Sequence, residues 1–251
     1  MNNTIKIIHE PDSQKPFVIL DKATGLPSAP LNDQDRDNAF FQASKLFPQL
    51  LQVKGKKEIE HGLLHRLDTV TSGLLIIAAN QKCYDFLLKE QEEGRIKKYY
   101  LAECDIIKQE HISTTSKLAP VVPEPVEGLS FNISSYFRPY GPGRKEVRPV
   151  TQASGRAALK KTGKAMLYTT NIKVLKINKE KKTALVECTI TKGYRHQVRC
   201  HLAWAGLPII NDPLYNKNKK STEPIHFCAS KIEFEYPRGD LNSYDRKDTW
   251  T

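Results

Sequence analysis

The 251-residue chain carries 39 Lys and Arg against 28 Asp and Glu, a formal net charge of +11. That length suffices for one large domain or two small ones with a substantial core, and the excess of cations favours a polyanionic partner, nucleic acid first and an anionic membrane surface second. No apolar run approaches the roughly eighteen residues of a membrane span. The start, MNNTIKIIHEPDS, lacks the basic-then-apolar order of a secretion signal. Five cysteines, at 83, 104, 188, 200 and 228, form no CxxC pair. This pattern speaks against a disulfide framework or a cysteine-rich zinc site, and for reduced thiols in the cytoplasm.

Residues 17–20 predict a strand, and Asp21 to Pro27, with Gly25 and Pro27, a turn. Residues 38–51 predict a helix, with Ala39, Phe40, Ala43, Leu46 and Phe47 at three- and four-residue spacing. Residues 54–60 read as a charged, solvated connection. Residues 61–80, HGLLHRLDTVTSGLLIIAAN, then set ionisable and hydroxyl groups between Leu63-Leu64 and the most continuous apolar run of the chain, 74–79, which suits a buried strand. Asp68 lies on the segment leading into that strand. A carboxylate there is either paired, with Arg66 the nearest partner in sequence, or held for chemistry, because burying it alone is costly.

Asn80 is placed to cap a helix over 81–93, and Gly94 to stop it. Glu90, Glu92 and Glu93 at the unfavourable end of the helix dipole predict a solvated, weakly held last turn. Residues 96–107 predict a strand. Residues 138–164 hold eight cations against the single acid Glu146. With frequent Gly and Pro, they are expected to form a loop with short extended pieces, whose nearly single-signed charge suits a phosphate backbone. Neither a phosphate-binding G-x-x-x-x-G-K-[ST] nor a G-x-G-x-x-G motif occurs in that segment. Residues 165–177 and 183–191 predict a hairpin. A helix is expected to open at GYRHQ and end near Gly206, with Val198, Leu202 and Ala205 along one side and Arg195 and Arg199 sharing another. Two arginines so close to a helix start make sense if an anion faces them. No fixed-period repeat is visible, and HRLD has the wrong order for a kinase H-R-D-L loop.

Three ordered blocks carry a resemblance. HRLDTVTSGLL resembles the HRLD-x-x-TSGLL signature of the RluA-like RNA pseudouridine synthases; Lys98, Tyr100 and Ala102 fit the family's K-x-Y-x-A; and GYRHQVRCHL followed by GLPIINDPLY is similar to its G-R-T-H-Q-[IV]-R-x-H-L and G-x-P-I-x-G-D-x-x-Y. The early DKATG is close to the family's [ND]-K-P-x-G, with Ala23 where Pro is usual. Tyr194 and Arg195 depart from the usual Arg-Thr pair, and Asn211 stands where the family has Gly.

The resemblance implies an α+β fold, a largely antiparallel mixed sheet with flanking helices around a basic cleft; some relatives carry an N-terminal S4 domain, but with only some sixteen residues before the first family-like strand a single catalytic domain is expected here. The resemblance also implies an isomerase that converts uridines of structured RNA, rRNA or tRNA, to pseudouridine with no cofactor or metal. Asp68 would be the essential carboxylate, Tyr100 the ring stacked on uracil, and Arg199 the partner of Asp68. The target nucleotide would be flipped out of its stack. RNA contacts are expected from Arg66, His65, Arg195, His196, Arg156, Lys160, Lys161 and Lys164, and the protein is expected to be a cytoplasmic monomer. An inactive RNA-binding relative and an unrelated Asp/His hydrolase are the rival classes; the three blocks and the presence of Asp68, Tyr100 and Arg199 speak against both.

Overall fold

The computed structural model describes residues 4–107, 123–162, 166–218 and 223–246. The chain folds into two compact units, residues 1–99 with 228–251, and residues 100–227. It passes between them within two strands, β4 (Lys97–Asp105) and β9 (Phe227–Glu235).

In the first unit β1 (Ile5–His9) pairs antiparallel with β2 (Phe17–Lys22), and β2 with β3 (Ser72–Ala78). Strand β9 lies parallel to β3 and antiparallel to β10 (Leu241–Asp245). The apolar run expected near 74–79 is thus a strand buried on both faces, and Phe17, Ile19, Leu74, Ile76, Phe234 and Leu87 close one core around it. Gly73 is required where β3 meets β9. Its φ is +118°, and a Cβ there would lie 2.2 Å from the Ala229 carbonyl oxygen, a backbone atom with no room to yield.

Helix α1 (Ala39–Leu46) starts where Asn38 Oδ1 accepts from the Phe41 amide at 2.8 Å. It ends before Pro48, which opens a separate 3-10 turn over Pro48–Gln52. The single helix expected to reach residue 51 is therefore cut by the proline, which has no amide to donate and disfavours helix in the residue before it. Helix α2 (Gln81–Glu92) is capped as expected, Asn80 Oδ1 accepting from the Cys83 amide at 2.8 Å. Its last turn is not weakly held. Glu90 is buried, and Arg95 grips it with Nε and Nη2 at 2.5 and 2.6 Å, holding its carboxyl below the usual range.

The second unit orders its strands β4-β8-β7-β5-β6. Strands β7 (Tyr168–Asn178) and β8 (Thr183–Ile190) form the expected hairpin, and β5 (Ser130–Tyr140) pairs antiparallel with both β7 and β6 (Glu146–Val150). The basic segment expected as a loop from 138 is therefore in large part ordered. It contains the end of β5, a tight turn, β6, and the short helix α3 (Arg156–Leu159). Helix α4 (Gln197–Trp204) lies against β6 and β7, with Cys200 in a small core of Phe137, Val147 and Tyr168. All five cysteines are buried free thiols. No helix among the described residues is long and apolar enough to cross a membrane.

Candidate active site

Asp68 stands on a loop that the early DKATGLPS segment stitches in place. Ser28 Oγ donates to the Leu67 carbonyl and accepts from the Leu67 amide, both at 2.9 Å. Thr24 Oγ1 donates to the Val70 carbonyl at 2.7 Å, and the Gly25 amide to that of Thr69 at 2.8 Å. Lys22 is fully buried, and its ammonium donates to the carbonyls of Ala23 and Leu26 at 2.9 and 2.7 Å. Burial lowers its pKa to about 8, opposed by the charges of Asp68 and Asp21. On the loop itself the Thr71 amide donates to the Asp68 carbonyl at 2.9 Å, a tight turn that leads straight into β3. Leu67 is buried, Asp68 half-buried and Arg66 exposed. The alternation turns the arginine outward, where Nη1 reaches Glu60 Oε1 at 3.2 Å.

His65 is placed differently from a residue reaching for RNA. Both ring nitrogens are buried without a hydrogen bond among the described residues. Burial, with the charge of Lys98 second, lowers its pKa to about 3, so the imidazole is neutral. Lys98 is itself buried, with Gln91 Oε1 at 3.5 Å, and burial lowers its pKa to about 8.

In the second unit Tyr100 is 7% exposed, its ring stacked on Phe227 with centroids 5.3 Å apart. Arg199 is almost wholly buried, and its Nε and Nη2 each donate to one oxygen of the fully buried Asp212 at 2.8 Å. Asp212 Oδ1 also accepts from the amides of Leu214 and Tyr215, at 2.8 and 3.1 Å. Asp212 is legible in the sequence as a matched residue of the third block but not as this partner. Tyr215 Oη accepts from the Val147 amide at 2.9 Å and lies 3.1 Å from His196 Nδ1, and burial raises its pKa. Asn211, where the family block has Gly, has φ +62°, a conformation that Asn tolerates better than other side chains. The departure is therefore mild.

Arg195 does not share a helix face with Arg199. His196 adopts a left-handed φ of 57° and α4 begins only at Gln197, so Arg195 precedes the helix. Its Nη2 donates to the carbonyls of Arg144 and Glu146, the second at 3.2 Å. Arg156, Lys160 and Lys161 are exposed on and just after α3, while Lys164 lies outside the described residues.

Residues 16–204 match the RNA pseudouridylate synthase family. The chain belongs to that family. An uncharacterized RNA pseudouridine synthase of Mycoplasma pneumoniae is 31% identical over 177 residues, 70% of this chain and 48% of that protein. The ribosomal large subunit pseudouridine synthase D of Nitrosomonas europaea is 28% identical over 244 residues, 96% of this chain and 56% of that protein. The chain spans about half the length of these curated relatives. Its fold is that of the human RNA pseudouridylate synthase domain containing 1, with a TM-score of 0.67 at 18% identity over 99% of this chain and 85% of that one. The pseudouridylate synthase match spans both compact units, taking in the Asp68 loop of the first and β4 to α4 of the second.

Proposed function

We propose that this pseudouridine synthase isomerises uridines in structured RNA, using Asp68 as its essential carboxylate on a flipped-out nucleotide. The observation that carries the reading is the Asp68 loop. A matched HRLD block is fixed through its backbone by Ser28, Thr24, Gly25 and Lys22, and it keeps the aspartate half-buried. A loop held by its main chain fixes where the Asp68 side chain stands, which is what preorganisation requires.

The reaction breaks the bond between uracil N1 and C1′ and forms one from C5 to C1′; C5 gives up a proton and N1 gains one. No electron is exchanged and no group donated, so the balance needs neither oxidant nor carrier. Asp68 acts as the anion, whether on the ring, on the sugar or as a base. Tyr100 is assigned to stack on the uracil, with its hydroxyl near the C5 proton, and Arg199 to orient the carboxylate. Arg66, Arg195, His196, Arg156, Lys160, Lys161 and Lys164 are assigned to RNA; His65, with its ring nitrogens buried, is assigned to packing instead. The ribosomal substrate named for the Nitrosomonas relative supports rRNA over tRNA as the target. Five reduced thiols support the cytoplasm, and a monomer is the simplest state. Tritium release from C5-labelled uridine in transcribed RNA tests the activity, and mapping pseudouridine in RNA from a deletion strain identifies the site. Absence of turnover by the purified chain on every cellular RNA fraction would overturn the reading.

A further inference from the structure

We propose that the outward face of the β5–β6 hairpin is a stacking platform for an unpaired base of the RNA, built from Tyr140 and the two arginines beside it. Arg138 and Arg148 lie directly opposite each other in the antiparallel register, and Tyr140 follows two residues after Arg138 on the same face. The Arg148 guanidinium carbon lies 3.1 Å from the centre of the Tyr140 ring, and that of Arg138 lies 5.3 Å from it. The three side chains are half-buried, neither packed into the core nor free in solvent. The opposite face, with Phe137 and Val147, is buried against α4.

Two guanidinium groups on one aromatic ring, with Glu146 opposite Tyr140, form a surface of planar groups with a net positive charge. Phosphate alone would be met as well by lysines on any strand. A stacked guanidinium and phenol add a flat, polarisable surface that an unstacked base can extend, and every base has such a face. A paired base in an A-form helix has its faces covered by its neighbours and cannot use it. The ligand class is therefore single-stranded or looped RNA, with the phosphates flanking the stacked base met by Arg144 and Lys145, exposed in the adjoining turn.

The hairpin is also braced, which removes much of the ordering cost of binding. Arg195 donates to the Arg144 and Glu146 carbonyls, Tyr215 Oη accepts from the Val147 amide, and Tyr194 stacks on Phe137 with centroids 5.1 Å apart and planes 8° from parallel. Tyr194 and Arg195 are two of the positions at which this chain departs from the third block. Both departures are used to hold this hairpin.

The inference rests on the reading of the chain as an RNA enzyme, and the test separates the two. Affinities for short fluorescent oligo-A and oligo-U strands, and for a duplex of the same length, are measured by anisotropy for wild type, Tyr140→Ala, Tyr140→Phe and Arg148→Ala. Tyr140→Ala should lose about tenfold on the single strands and little on the duplex, with the salt slope unchanged, because stacking releases no counterions. Tyr140→Phe should bind as wild type, and Arg148→Ala should lose affinity and flatten the slope. Equal affinity of Tyr140→Ala and wild type for single strands, or an equal loss on single strand and duplex, would overturn the platform. Tritium release by wild type is scored separately: its absence sinks the proposed function, and it does not depend on what Tyr140 does.

Discussion

Asp68 and Asp212 are carboxylates in turns, each with a basic side chain near it, yet they are treated in opposite ways. Asp212 is fully buried, with both oxygens taken by Arg199 and one of them also by two backbone amides. Asp68 is half-buried, and the atoms that fix its position belong to the backbone on either side of it. One carboxylate is taken up in building its own turn; the other stands on a turn whose main chain is held by the DKATGLPS segment. Residue type alone does not distinguish them, but burial and the atoms that hold each turn do.

Converting each aspartate to its amide breaks the comparison most sharply. Asp68→Asn should leave the melting temperature near that of wild type and lower pseudouridine formation at least about a thousandfold. Asp212→Asn takes the anionic bidentate partner from the buried Arg199 guanidinium and should cost on the order of 3–5 kcal/mol in urea unfolding. Arg199→Ala should cost a similar amount for the converse reason. If Asp68→Asn were the less stable of the two amides, the assignment of roles would be inverted.

A second contrast lies between two buried lysines of the first unit. Lys22 has carbonyls to donate to, whereas Lys98 has only Gln91 Oε1 at 3.5 Å among the described residues. Both have pKa values lowered to about 8 from 10.5. Between those limits the unfolded chain binds more protons than the folded one, so stability should rise from about pH 8 to 10.5 and stay level below that window. Lys98→Met removes the cation with the poorer partner and should gain about 1–3 kcal/mol at neutral pH while flattening the rise. The slope that remains belongs to Lys22. A loss of stability in Lys98→Met would mean that its charge is compensated in the folded protein.

Much of this can be seen in the sequence wherever structure is decided locally. The Asn80 cap, helix α2, the β7–β8 hairpin and the strand after Thr71 each follow from neighbours a few residues apart. What stays hidden depends on partners distant in sequence. SFNISSYFRPY gives little sign of a strand until β7 and β6 lie on either side of it. Glu90 reads as solvated because nothing in α2 announces that Arg95 will fold back onto it. Arg195 reads as helical because the left-handed turn at His196 is invisible in a string that otherwise suits a helix. At the candidate site the block carrying Asp68 is legible, but its scaffold is not. DKATGLPS can be read as a turn, while its bonds to residues 67–70 span roughly forty positions or more.

The smallest expected effect concerns the exposed cations Arg156, Lys160 and Lys161 on and after α3. They differ from Arg138 and Arg148 in having no aromatic ring beside them in the described structure, so their contribution should be charge alone. Cations of that kind hold phosphates and read no sequence. Replacing all three by Gln should leave stability unchanged and weaken target and non-target RNA alike. For every phosphate no longer neutralised, the dependence of log affinity on log salt should become shallower by roughly 0.7 to 0.9. The rate at saturating RNA should stay as it was, since Asp68, Tyr100 and Arg199 lie on other segments. A purely solvated face would give the same salt dependence for the triple variant and wild type. Titrations at several salt concentrations therefore decide the matter: converging lines place phosphates on this helix, and parallel lines remove it from the RNA-binding surface.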